Sequence, residues 1–177
     1  MTRDTSARAW PGSAESGTAR VVVAGLGNEY RRDDGVGPLV VARAVSETGA
    51  ADNVGPLADP LDLVGRWDGA SLAIVVDAVR SGAQPGTIRL VELEPGGPAD
   101  AEAAGGGRSA TSTHGIGLAR VFRLARAIGH APVRVVVVGI EGENFEMGTG
   151  LSPAVEAAVP HAVRHVVDLI REIRRCA

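Results

Sequence analysis

Three short apolar runs constrain this chain most: residues 20–25 (RVVVAG), 72–77 (LAIVVD) and 133–140 (VRVVVVGI) are rich in β-branched residues and almost free of polar alternation. A strand with one face in water alternates, so runs like these read as strands buried on both faces. A fourth run, residues 87–93 (TIRLVEL), does alternate and follows a Pro85-Gly86 turn, which suits an edge or half-exposed strand. Helical patterns fall between the runs, at about residues 37–46, 114–128 and 153–174. In the last of these, Val155, Val159, Val163, Val166, Ile170 and Ile173 recur at three- and four-residue steps and mark one core-facing stripe. Ser152 suits its N-cap, and Pro153 its first helical position.

Strands that alternate with helices predict an α/β fold. We expect a three-layer αβα sandwich: a mostly parallel twisted sheet of about five strands, with helices on both faces. The 177 residues fit one domain, residues 20–177, preceded by a disordered tail at residues 1–19 that lacks the apolar run of a secretory signal. Residues 94–113 have no periodicity and contain PGGP and GGG, a long loop of the kind that is functional or disordered. With 45% hydrophobic and 22% charged residues the chain is ordinary globular protein, and at 3% aromatic its core must be aliphatic. A net charge of −3 offers no footprint for nucleic acid or anionic lipid. No apolar run approaches the ~20 residues of a membrane helix. A cytoplasmic protein is expected. The single cysteine, Cys176, is next to last, so neither an internal disulfide nor a thiolate metal cage can form within one chain.

In parallel sheets ligands bind beyond the carboxyl ends of strands. Asp77 ends the second apolar run, where a carboxylate should point into that crevice. The first run ends in Gly25, Leu26, Gly27 and Asn28, and the next loop brings Asp33 and Asp34 to the start of a helix, where the dipole favours negative charge. His114 follows the long loop and opens the next helix, with Gly115 and Gly117 permitting close backbone approach. Two carboxylates and an imidazole, with no thiolate, suit a borderline divalent metal such as nickel or zinc and leave coordination positions open. Each residue also has a plain structural role open to it: a cap for Asp33, Asp34 or His114, a turn acceptor for Asp77.

Other candidates are weaker. The GLGNEY segment lacks the third glycine of a dinucleotide loop, since Tyr30 stands in its place. His161 and His165, with Asp168 nearby, have helical metal spacing but lie off the apolar stripe, on a solvated face. No G-x-S-x-G motif supports a serine nucleophile.

Four motifs in order resemble those of the endopeptidases that mature nickel–iron hydrogenases. Residues 21–37 (VVVAGLGNEYRRDDGVG) are similar to the family's strand, G-x-G-N and D-[ED]-G-x-G; residues 75–79 (VVDAV) with GAQPGT at 82–87 resemble its D-A segment and P-G-T turn. STHGIGL at 112–118 resembles S-x-H-x-x-x-L, and GLSPAVE at 150–156 the G-L-[ST]-P helix start. The resemblance covers about residues 21–173. It implies the same α/β fold and makes Asp34, Asp77 and His114 the three metal-contact and catalytic residues. Gly25, Gly27 and Asn28 are expected to contact substrate.

The implied reaction is hydrolysis of one peptide bond, removing a carboxyl-terminal extension from the hydrogenase large-subunit precursor after nickel insertion. The metal is then either the enzyme's own, nickel or zinc acting as Lewis acid, or the nickel that the precursor carries; we favour the latter. A monomer is expected, with the precursor as partner and neither nucleic acid nor membrane. The alternative is a noncatalytic metal-binding assembly factor for the large subunit. One departure concerns recognition. Many members carry D-G-G-T between the first helix and the second metal aspartate, a loop that contributes to precursor recognition, whereas this chain has ADPLDL at 58–63. Asp59 or Asp62 could substitute, although Pro60 after Asp59 favours a helix cap.

Overall fold

A computed structural model describes residues 19–49, 51–93 and 115–175, with side chains in the last segment from residue 117. The expected tail at residues 1–19 lies outside them apart from residue 19, as do the loop at 94–113, His114 and Cys176.

The sheet has five strands: β1 (Val21–Leu26), β2 (Asp52–Leu57), β3 (Leu72–Val79), β4 (Ile88–Glu92) and β5 (Arg134–Glu141). Their order is β2-β1-β3-β5-β4; β4 pairs antiparallel with β5 and the other pairs are parallel. Helix α1 spans Val36–Thr48, α2 Gly115–Ala127 and α3 Pro153–Arg175. Helices α1 and α3 cover one face of the sheet, and α2 covers the other, so the αβα sandwich stands.

The missing alternation now has its cause. Along β1, Val21 and Val23 enter the core under α1 and α3, while Val22, Ala24 and Leu26 enter the core under α2. Along β3, Leu72, Ile74, Val76 and Ala78 face one way, and Ala73 and Val75 the other. With both faces covered, each such Val, Leu or Ile adds roughly 1.5 to 3 kcal/mol when fully buried. Trp67 and Phe122 meet edge to face at 6.4 Å in the α2 layer. The predicted stripe of α3 packs as expected, Val155 through Ile170 being buried and Ile173 partly so.

The sequence reading located four strands, and β2 is the fifth. Half of its DNVGPL residues are exposed and only Leu57 is buried; it contains Gly55 and Pro56 and lies on the sheet edge, where a proline is tolerated. Helix α1 runs two residues past its predicted end and stops at Gly49, which takes φ 58° and donates its N–H to the Val45 carbonyl.

Candidate active site

Because β1 leads to β2 on one side and lies next to β3 on the other, the strand order reverses between β1 and β3. A crevice opens beyond their carboxyl ends at such a point. Both predicted carboxylates lie there.

Asp77 is near the end of β3, 2% exposed. The β1–β3 register pairs Gly25 with Val76, so Asp77 stands level with the last residue of β1. Strand side chains alternate, which puts Asp77 on the face shared by Ala73 and Val75, the one covered by α2. Its register partner on β5 is Gly139, which carries no side chain there.

Asp34 is 6% exposed and lies in a 3-10 turn, Arg32–Gly35, that runs into α1. Its Oδ2 accepts the Asn28 N–H at 2.9 Å, which ties it to the loop after β1. That loop is shaped by Asn28, whose Oδ1 accepts the Tyr30 N–H at 2.9 Å and whose carbonyl accepts the Arg31 N–H at 3.0 Å. Arg32 completes it with φ 49°, the left-handed region that side chains seldom occupy.

The glycines of the two sequence motifs let these parts close. A Cβ on Gly27 would collide with the Asp34 carbonyl oxygen, and its φ is 122° besides. A Cβ on Gly37 would strike the Leu26 carbonyl oxygen and lie 2.6 Å from that of Val76, because the first turn of α1 is wedged between the ends of β1 and β3. Gly25 packs in the same way, its missing Cβ falling 2.5 Å from the Pro38 nitrogen. Gly25 and Gly27 are buried, and Asn28 is exposed.

His114 lies outside the described residues. The helix that follows it is α2, and Gly117 packs against Pro60 of a second 3-10 turn, Pro60–Leu63, just beyond the carboxyl end of β2. Helix α2 is therefore met on the face and at the end of the sheet where Asp77 lies. Among the described residues no three His, Cys, Asp or Glu side chains are grouped as a metal cage.

Two further carboxylates are buried, neither of them among the three expected site residues. Asp33, brought with Asp34 to the helix start in the sequence but left out of the three site residues, is fully buried. Its Oδ2 accepts N–H groups from Glu143 at 2.9 Å and Asn144 at 2.8 Å and the Ser152 hydroxyl at 2.9 Å, while Oδ1 accepts the Ser152 N–H at 2.6 Å. Burial opposes its ionisation, but the N–H groups of Asn144, Ser152 and Glu143 and the Ser152 hydroxyl outweigh it and hold the carboxyl below its ordinary range. Glu141, at the end of β5, accepts Ser81 N–H and Gly82 N–H at 2.8 Å and the Ser81 hydroxyl at 2.6 Å, which pins the turn after β3. The signal that marked Asp77, a carboxylate closing an apolar run, marks Glu141 too.

The Ser152 hydroxyl is thus spent on Asp33, although its carbonyl does accept the Glu156 N–H that opens α3. Asp59 caps the second 3-10 turn, its Oδ1 accepting the Leu61 N–H at 2.9 Å, as Pro60 suggested. Asp62 is exposed, and so are His161, His165 and Asp168, on the solvated face expected of them.

A pH prediction follows from Asp33. Its folded pKa lies below the unfolded one, so its contribution to stability is complete above about pH 4 and is lost as pH falls through the lowered value. The melting temperature should therefore fall more steeply below about pH 4 in the wild type than in Asp33→Asn. Parallel melting profiles for the two proteins would remove Asp33 from the acid response.

Comparison with known proteins identifies the family and the fold. The hydrogenase maturation protease (HycI) family profile matches residues 58–169. The hydrogenase expression/formation protein HoxM of Cupriavidus necator is 32% identical over 156 residues, 85% of this chain and 74% of that one. The hydrogenase 2 maturation protease of Escherichia coli is 29% identical over 157 residues, 86% and 92% of the two chains. Among solved structures, the E. coli hydrogenase maturating endopeptidase HybD superposes with a TM-score of 0.71 at 27% identity, covering 86% of this chain and 93% of its own. The [NiFe] hydrogenase maturation protease HybD of Thermococcus kodakarensis gives 0.68 at 26% identity, covering 85% and 99%. With the family profile matching most of the chain and a relative 32% identical over most of both lengths, the chain belongs to the hydrogenase maturation proteases, a family of endopeptidases.

Proposed function

We propose that the protein hydrolyses one peptide bond in the nickel-loaded large-subunit precursor of a nickel–iron hydrogenase and so releases its carboxyl-terminal extension. The observation that carries this reading is a pair of buried carboxylates, Asp77 near the end of β3 and Asp34 in the 3-10 turn that lies against Gly27, just past the end of the adjacent strand β1. Carboxylate oxygens are the donors that a divalent cation takes, and a cation of this kind on the substrate gives two carboxylates something to bind that a peptide alone lacks. The precursor's nickel supplies that cation, and His114 contributes the nitrogen ligand that suits it better than calcium or magnesium.

In this reading nickel is cargo on the substrate. Asp34, Asp77 and His114 contact it and thereby register the scissile bond in the crevice, a gain of the kind that orientation brings to any bimolecular reaction. Exposed Asn28 is the part of its loop that reaches the peptide, while Gly25 and Gly27 keep the loop tight. Hydrolysis breaks the carbonyl carbon–nitrogen bond; water gives its hydroxyl to the new carboxyl end and a proton to the departing amine. The same residues could hold a zinc ion of the enzyme's own, which would act as a Lewis acid on the carbonyl. The reading includes a monomer working in the cytoplasm; no helix among the described residues is long and apolar enough to cross a membrane.

The test is to incubate the protein with nickel-loaded and nickel-free precursor and follow intact mass. Loss of the extension from the loaded form alone is expected. Equal cutting of both forms would remove nickel as the recognition element. Binding without cutting of either would favour the noncatalytic assembly factor.

A further inference from the structure

Asp33 occupies an unusual position: a completely buried carboxylate, adjacent in sequence to Asp34, whose side chain bonds to nothing in its own turn or helix. All four of its hydrogen bonds reach residues 143, 144 and 152, 110 to 119 positions away in sequence. Neither the 3-10 turn nor α1 has a side-chain cap. A capping role is thereby excluded, and a cross-link between two loops remains.

The backbone reinforces the link. The Asp33 N–H donates to the Asn144 carbonyl at 3.1 Å, the Arg32 N–H to Gly148 at 2.9 Å, and the Gly148 N–H returns to the Tyr30 carbonyl at 2.8 Å. Phe145, in the same loop, lies beneath the Arg80 guanidinium, 4.6 Å from its ring centre, and its carbonyl accepts from Arg31 at 3.3 Å. The loop from β5 to α3 thus runs alongside the turn that carries Asp34, and Asp33 is the buried charged centre of that seam.

We propose that Asp33 is a positioning residue for the cleavage reaction: by joining the Asp34 turn to the β5–α3 loop it fixes where the Asp34 carboxylate stands relative to Asp77. This rests on the peptidase reading above. One peptide unit separates the two aspartates, so a shift of the seam passes directly to Asp34, and displacement by about 1 Å at a reacting centre can cost about 100-fold in rate. Asp33 itself touches no substrate.

Asp33→Asn is the informative change, since it keeps the shape and replaces one acceptor oxygen by a donor. Four donors converge on the carboxylate, so at least one must then face the amide NH2. The readout is the single-turnover cleavage rate of nickel-loaded precursor at saturating enzyme, where weaker binding alone has no effect. We expect a fall of about 30- to 100-fold in a protein that circular dichroism reports as folded. Amide exchange should quicken at Glu143, Asn144 and Ser152. Ser152→Ala, which removes one donor of the four, should lose a few-fold, Ser152→Thr should restore the rate, and the double variant should resemble Asp33→Asn alone.

A wild-type saturating rate in folded Asp33→Asn, or a loss that vanishes at saturation, overturns the positioning role. Should Asp33→Asn fail to fold, Ser152→Ala at the wild-type rate overturns it instead. Failure of the wild-type protein to cut the precursor strikes the peptidase reading, and is distinguishable from both.

Discussion

Asp77→Asn is expected to lower cleavage of the nickel-loaded precursor by more than about 100-fold while leaving the protein folded. Even outer partners of metal ligands are worth about 10- to 100-fold, and Asp77 is proposed to contact the metal directly. Stability should not suffer, because the change replaces a carboxylate 2% exposed to solvent with an amide of the same shape. Precursor cleavage by intact mass and thermal unfolding, run on the same sample, check both halves. An active Asp77→Asn would remove Asp77 from the site; an inactive and unfolded one would give it a structural role instead. Asp34→Asn should behave alike in activity, since its Oδ2 contact with the Asn28 N–H can survive in the amide.

The second large effect is on folding. Gly27→Ala is expected to destabilise the protein by about 2 to 6 kcal/mol, combining backbone strain at positive φ with overpacking. That is a large part of a usual domain stability of about 5 to 15 kcal/mol. The new methyl would have to displace the Asp34 carbonyl, and so would disturb the site even in molecules that fold. Gly49→Ala is the control: Gly49 also has positive φ, 58°, but nothing lies within 4 Å of its absent Cβ. It should lose only about 1 kcal/mol, the strain without the collision. Equal losses in denaturant titrations of the two variants would mean that the close approach of Gly27 to Asp34 matters little.

These expectations separate what the sequence makes legible from what it hides. Strands β1, β3 and β5 could be read because burial on both faces leaves an unbroken β-branched run, whereas β2, an exposed edge with Gly55 and Pro56, leaves no such trace. The aspartates at Asp34 and Asp77 were legible through topology: a carboxylate ending a buried strand, or starting the next helix, falls at the switch point. That rule does not say what a carboxylate does there. Glu141 also closes a buried strand, β5, one strand away from the switch point, and it accepts hydrogen bonds from the Ser81–Gly82 turn. Asp33 was hidden for another reason. Its partners are more than a hundred residues distant in sequence, and a neighbouring helix start made capping the natural local reading. Ser152 was half legible, since its backbone does open α3 but its hydroxyl serves Asp33.

Family membership fixes the class of reaction, and buried Asp34 and Asp77 are the place we propose for it in this chain. Our proposal for this chain goes one step further: Asp34, Asp77 and His114 contact nickel that arrives on the precursor. X-ray absorption at the nickel edge tests it most directly, comparing nickel-loaded precursor alone with the same precursor bound before cleavage to wild-type protein and to Asp77→Ala. Added oxygen and nitrogen scatterers are expected around nickel with the wild type, and fewer with Asp77→Ala. A nickel shell unchanged by wild-type protein that goes on to cut the precursor would contradict it.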